Sequence, residues 1–210
     1  TTSVLTKVYE DAKKNPKRVV FAEAEEDVVI RAAIQFRDFG YGHPILVGRT
    51  QAVRDKLIQL GVDDPDSFEI QNSADSDHVP AMVEHLYNRL QRRGYTERDV
   101  RRMVNQDRNI FGSALLAIDA GDAMITGLTR PFAQTAKEVA TVLDPKEGDV
   151  PFGIHLMIGK NYTVFLADTT INERPDAAML AHIAKTTAKV ARRLGHDPRV
   201  AFLSYSTFGN

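Results

Sequence analysis

Seven arginines fall between Arg89 and Arg108 (89, 92, 93, 98, 101, 102 and 108), against Glu97, Asp99 and Asp107. A guanidinium fork binds phosphate through paired, charge-assisted hydrogen bonds, so this stretch could hold a phosphorylated ligand such as a nucleotide or a coenzyme. A solvated helix face laced with i,i+4 ion pairs accounts for the same arginines. Nucleic acid fits less well, because only Tyr95 interleaves a stacking surface. Three further stretches carry hydroxyls directly after apolar runs, two of them with glycine: Gly127-Leu128-Thr129-Arg130-Pro131, Asp168-Thr169-Thr170-Ile171-Asn172 and Ser204-Tyr205-Ser206-Thr207-Phe208-Gly209. Open α/β sheets bind ligands at the carboxyl ends of their strands, and hydroxyls beside exposed amides form anion nests. Turn and cap chemistry explains these stretches equally, with Asp168 and Asn172 bracing a hairpin exit.

Other chemistry is missing. No G-x-x-x-x-G-K-S/T loop is present, and no G-x-G-x-x-G follows the first apolar run. The six histidines (43, 78, 85, 155, 182 and 196) have no helical zinc spacing. Asp63-Asp64-Pro65-Asp66 and Asp75-Ser76-Asp77 lack the glycine and distal glutamate of a calcium loop. No metal is expected in this chain.

The elements that must position these residues alternate. Residues 3–14, 26–39, 50–60, 78–93, 96–106, 109–120, 132–142 and 175–194 have helical periodicity or helical stop signals. Thr50 and Thr96 are expected as caps, and Pro175 as a helix start. Short apolar runs at 18–22, 44–48, 67–71, 123–126 and 199–203 read as strands. Runs 152–158 and 162–168, joined by Gly159-Lys160-Asn161, read as a hairpin. The pattern predicts an α/β fold, a mostly parallel sheet covered on both faces, with one antiparallel hairpin in a second part. The charged linker Asp144-Pro145-Lys146-Glu147-Gly148-Asp149 divides residues 1–146 from 147–210.

Composition excludes further classes. The chain has 210 residues, a formal charge of −1, 43% hydrophobic and 26% charged residues, and neither cysteine nor tryptophan. That balance suits a globular chain, with no global pull toward nucleic acid or acidic membranes. Without cysteine there is no disulfide framework and nothing that argues for secretion. No apolar stretch approaches the roughly 18–20 residues of a membrane span. A soluble, cytoplasmic protein is expected. The chain opens on Thr1 and closes on Phe208-Gly209-Asn210, so a longer polypeptide is expected too.

The segment from Phe165 to Asn210 resembles the middle of the phosphate acetyltransferases (phosphotransacetylases), which carry a D-x-x-I/V-N-x-x-P turn, a long helix, then P-x-V-A-x-L-S-F/Y-S-T. Here the motifs read Asp168, Ile171, Asn172, Pro175, then Pro198, Val200, Ala201, Leu203, Ser204, Tyr205, Ser206 and Thr207. Upstream, FGSALLAIDAGDAMITG and RRGYTERDV are similar to the family's helix-and-strand and K-G-x-T stretches. The resemblance runs from about Arg18 to Asn210 and implies a three-layer α/β/α fold with the second subdomain incomplete.

Departures from the family shape the functional expectation. Aligned without gaps from Gly127, the family's coenzyme-binding arginine and proline become Lys137 and Glu138, and Arg130-Pro131 comes seven residues too early. The arginine of its L-R-K-x-K-G stretch becomes Leu90, with Arg89 beside it and Arg92-Arg93 before Gly94. Phe208 stands where many members have lysine or glycine, and the family's catalytic serine, arginine and aspartate lie beyond Asn210. The departures resemble the phosphotransacetylase-like C-terminal domain of multidomain bacterial NADP-dependent malic enzymes. That resemblance implies a non-catalytic domain that senses acetyl-CoA, beside a malic enzyme catalytic domain that holds NADP and a divalent metal on the same polypeptide. Acetyl-CoA would lie in the cleft between the two parts, with Arg92, Arg93, Arg130 and Lys137 on its phosphates and Asn172, Ser206 and Thr207 at the acetyl end. A homo-oligomer is expected, without nucleic-acid or membrane partners. An active phosphate acetyltransferase and a purely structural assembly domain remain as alternatives.

Overall fold

A computed structural model describes residues 2–160 and 162–203. Contacts divide the chain into two compact units, one of Asp11–Asp144 and the other of the described residues in Thr1–Glu10 and Pro145–Asn210. Helix α1 (Thr2–Lys14) runs across the division. The change of unit at Asp144–Pro145 falls in the charged linker, but residues 2–10 group with the later part rather than with their sequence neighbours.

In the larger unit, β1 (Lys17–Phe21), β2 (Gly42–Val47), β3 (Glu69–Gln71) and β4 (Ala123–Ile125) form one parallel sheet in the order β3-β2-β1-β4. Helices α2 (Asp27–Asp38), α3 (Thr50–Gln59), α4 (Val79–Leu90), α5 (Glu97–Gln106), α6 (Arg108–Ala117) and α7 (Phe132–Val142) make the connections. Successive strand side chains point to opposite faces, and here both faces are covered. Val19, Phe21 and Leu46 pack with Ile30, Ala33, Val53 and Leu57 of α2 and α3. Val20, Ile45 and Val47 join Met82, Leu86, Val104, Phe111 and Leu115 of α4–α6. This two-sided burial is why the strands read as unbroken apolar runs. Each large side chain so buried contributes roughly 1.5–3 kcal/mol. Gly112 lets α6 lie close to the sheet, since a Cβ there would meet Met124 Sδ at 2.7 Å.

The smaller unit contains an antiparallel pair, β5 (Ile154–Ile158) and β6 (Thr163–Ala167), with His155 opposite Leu166 and Met157 opposite Val164. Helix α8 (Ala177–Arg193) follows, burying Ile183, Ala188 and Ala191.

The expected α/β architecture, parallel sheet and hairpin are all present. Thr96 caps α5 as expected, in a capping box with Asp99. Three local expectations fail for physical reasons. Thr50 opens α3 without capping it, because the extended residue before the helix is Arg49. Pro175 does not start α8: Asp176 caps it, the carboxylate accepting Met179 N–H at 2.8 Å, and Ala177 is its first residue. Residues 199–203 form no strand: no described segment pairs with them, and Phe202 and Leu203 stay 64% and 88% exposed. A strand exists only as one side of a ladder.

Candidate functional site

The carboxyl ends of the four parallel strands converge at one edge, and strand order reverses between β1 and β4. That crossover is where open α/β sheets form ligand crevices. Glu23, two residues beyond β1 and 2% exposed, occupies it. Its Oε2 accepts Gly127 N–H at 2.9 Å and Leu128 N–H at 2.7 Å. Its Oε1 accepts the Thr129 N–H at 2.8 Å and the Thr129 hydroxyl at 2.5 Å. Gly127, at φ +107°, permits the bend that brings these amides together. Burial opposes ionisation of Glu23, but the hydrogen bonds from Thr129, Leu128 and Gly127 outweigh it and lower the pKa. The amides of Gly127, Leu128 and Thr129 thus form an anion nest, and the chain's own carboxylate fills it.

Arg130, next in that loop, is tied down as well. Its Nη1 donates to Asp107 Oδ2 at 2.5 Å and to Glu138 Oε1 at 2.7 Å. Asn109 Nδ2 donates to Glu138 Oε2 at 2.6 Å, and the Thr126 hydroxyl donates to Asn109 Oδ1 at 2.5 Å. Asp107 also caps α6, its Oδ1 accepting the Asn109 and Ile110 amides. Burial works against ionising Glu138; its bonds to Asn109, Arg130 and Gln134 prevail and hold its pKa below the usual value. The network joins the β4 loop to α6 and α7.

Beside it lies a concavity of about 210 Å³, bounded by Gly48 and Arg49 after β2, Asn72 and Ser73 after β3, and Asn105, Asp107, Arg108 and Arg130. Arg49 grips Glu25 with Nε at 3.0 Å and Nη2 at 2.9 Å. The hydrogen bond from Arg49, against a smaller opposing effect of burial, takes the Glu25 pKa down to about 2.

The arginine cluster divides. Arg89 is spent on Asp144 and the carbonyls of Thr141 and Ala140. Arg101 pairs with Glu97, and Arg102 with Asp99, which is the laced helix face. Arg92 and Arg93 are exposed in a 3-10 turn after α4. Arg93 borders a second concavity, of about 370 Å³, with Tyr95 and Arg102. Arg92 and the exposed Lys137 of α7 border neither concavity. Arg130 and Arg93, expected on one ligand, thus line separate concavities.

Asn172 belongs to the smaller unit. Its Nδ2 donates to Pro151 O at 2.9 Å and to Asp168 Oδ2 at 2.8 Å. Asp168 also accepts the amides of Gly153, Thr170, Ile171 and Asn172. Burial alone would raise the Asp168 pKa, yet these amides hold it well below the carboxylate range. Both side chains do the bracing work of a hairpin exit. Ser206 and Thr207 lie outside the described residues. Among the described residues no three His, Asp or Glu side chains are grouped to hold a metal ion, and no helix is long and apolar enough to cross a membrane.

Sequence reasoning missed Glu23, Glu25 and Arg49. The signal available was position alone: FAEAEE and VGR directly follow strands whose carboxyl ends meet.

Comparison with known proteins agrees with this architecture. The family profile described as "Phosphate acetyl/butaryl transferase" matches residues 3–210. An NADP-dependent malic enzyme of Rhizobium meliloti is 40% identical over 209 residues, which is 99% of this chain and 28% of that protein. A phosphate acetyltransferase of Staphylococcus aureus is 30% identical over 198 residues, covering 94% of this chain and 59% of that protein. A solved phosphotransacetylase from Streptococcus pyogenes superposes with a TM-score of 0.89 at 30% identity, over 99% of this chain and 63% of that one. The chain thus spans little more than a quarter of the malic enzyme it matches. Its core, parallel sheet and separate hairpin are those of this group, and the chain belongs to the phosphate acetyl/butaryl transferase family.

Proposed function

We propose that this chain is the acetyl-CoA-sensing regulatory domain of an NADP-dependent malic enzyme. The parent polypeptide would oxidise and decarboxylate malate to pyruvate in the cytoplasm, with NADP and a divalent metal held by a separate catalytic domain. The domain itself binds and signals; it does not transfer acetyl groups. The observation that carries this reading is the 40% identity to a malic enzyme across 99% of the chain, against 30% to a phosphate acetyltransferase.

Regulation requires acetyl-CoA to prefer one of two states of the parent, typically by about 1–3 kcal/mol, or roughly 5- to 150-fold. Malate-dependent NADP reduction by the polypeptide that carries this chain should therefore change severalfold when acetyl-CoA is added. An unchanged rate at saturating acetyl-CoA would sink the reading. The alternative, an active phosphate acetyltransferase, draws on the TM-score of 0.89 to a solved phosphotransacetylase. It requires the same polypeptide to form acetyl-CoA from acetyl phosphate and CoA.

A further inference from the structure

We infer that the concavity at the carboxyl ends of β2 and β3 is a phosphate-binding site organised by Arg108, with Arg49 and Arg130 beside it. The regulatory reading enters only in naming the carrier of that phosphate. Three guanidinium groups and two carboxylates, Glu25 and Asp107, line the concavity. Both carboxylates are already satisfied. Glu25 takes the Arg49 side chain and its backbone N–H. Asp107 takes two helix amides and Arg130.

Arg108 is the cation left over. It is half-buried and makes no hydrogen bond with a described residue; its charge acts on Glu25 only as the smallest of the effects that lower that carboxyl's pKa. It is also the first residue of α6, where the helix dipole is positive and a cation is disfavoured. A part-buried guanidinium among two others, at the wrong end of a helix, breaks a local electrostatic rule. Such breaks concentrate at functional sites. A phosphate dianion resolves it, since it accepts from the Arg108 fork and suits the helix terminus. Asn72 and Asn105 border the same space. At about 210 Å³ the concavity is smaller than the roughly 300–1,000 Å³ that encloses a drug-sized ligand. It takes a phosphate group rather than a whole coenzyme.

Free phosphate and the ribose 3′-phosphate of coenzyme A share this chemistry. Calorimetric titration of the full polypeptide with inorganic phosphate, coenzyme A and dephospho-coenzyme A separates them. Arg108→Gln should weaken phosphate about tenfold or more. Arg108→Lys should keep part of the affinity, and Arg31→Gln, at an exposed residue outside the lining of the concavity, should keep all of it. Equal losses for phosphate and coenzyme A, with none for dephospho-coenzyme A, identify the coenzyme as carrier. A loss for inorganic phosphate alone identifies the free ion. Equal phosphate affinity in wild type and Arg108→Gln overturns the site. A second measurement needs no variant: phosphate should slow hydrogen exchange across residues 104–110, and unchanged exchange at saturating phosphate also overturns it. The two readings fail separately. Acetyl-CoA control of malate oxidation that survives Arg108→Gln removes the coenzyme as carrier and leaves the regulatory reading. Arg108-dependent phosphate binding without any acetyl-CoA response does the reverse.

Discussion

Glu23→Gln removes one charge from the β1–β4 crossover while keeping the shape of the side chain. The carboxylate accepts four donors, at 2.5–2.9 Å, from Gly127, Leu128 and Thr129. Glutamine keeps one carbonyl oxygen, which can serve Gly127 and Leu128. Its NH2 must then face Thr129, whose hydroxyl can turn to accept but whose amide N–H is stranded. One buried, unsatisfied amide costs about 1–3 kcal/mol, and the remaining bonds lose their charge assistance. Together these give about 2–4 kcal/mol of local destabilisation. Hydrogen exchange of the segment 123–132, read by mass spectrometry, should then quicken roughly 30- to 700-fold, at tenfold per 1.4 kcal/mol. The pH dependence adds a second readout. The folded-state pKa of Glu23 is depressed, so its contribution is full above the unfolded value of about 4.3 and fades as pH falls through the folded value. After correction for intrinsic exchange, wild-type protection should decline in acid and the Gln variant should show no such decline. Exchange within about threefold of wild type would refute the account.

Three further outcomes are expected. Thr96→Ala removes the side chain that accepts Asp99 N–H and should cost about 1 kcal/mol in denaturant unfolding, with Thr96→Ser restoring most of it. Arg130→Met strands Asp107 and Glu138, whose side chains are only 19% and 13% exposed, so stability should fall by about 1–3 kcal/mol and the Glu138 pKa should rise; unchanged titration of Glu138 by NMR would contradict the network. The Glu25 carboxyl should titrate near pH 2 in wild type and several tenths or more higher in Arg49→Gln; the contact contributes above the ordinary glutamate value and is lost as pH drops toward about 2.

The framework was legible because β1 and β2 are buried on both faces, which leaves short apolar runs between amphipathic helices. The hairpin was legible from Gly159-Lys160-Asn161 between two such runs. The site was less so, because its partners are distant in sequence. Glu23 meets amides more than a hundred residues away, at |i−j| of 104–106. Its identity as the plug of an anion nest appears in no local pattern. Arg89 and Arg130 looked like free cations for the same reason: Asp144 lies 55 residues from Arg89, and Asp107 lies 23 residues from Arg130. Arg101 and Arg102 have local partners, at i,i+4 and i,i+3, and make up the laced helix face that the sequence reading anticipated. Residues 199–203 show the converse limit, in which β-propensity is satisfied only by a partner strand.

Negative charge is handled in two ways along this sheet edge, with opposite consequences for a ligand. At the β1–β4 crossover the donors are rigid backbone amides, desolvated and already spent on Glu23. A phosphate could enter only by expelling a buried carboxylate, at the cost of its four hydrogen bonds, of desolvating the phosphate and of rearranging the loop. At the carboxyl ends of β2 and β3 the donors are arginine side chains, partly open to water and to a screening length of about 8 Å at physiological salt. A phosphate bound there can come and go without disturbing a strand, and its affinity must fall as ionic strength rises. A site of the second kind suits an effector whose concentration is to be read, because weaker binding keeps occupancy short of saturation while that concentration changes. The filled nest holds the β4 loop in place, so that Arg130 is already positioned when the phosphate arrives.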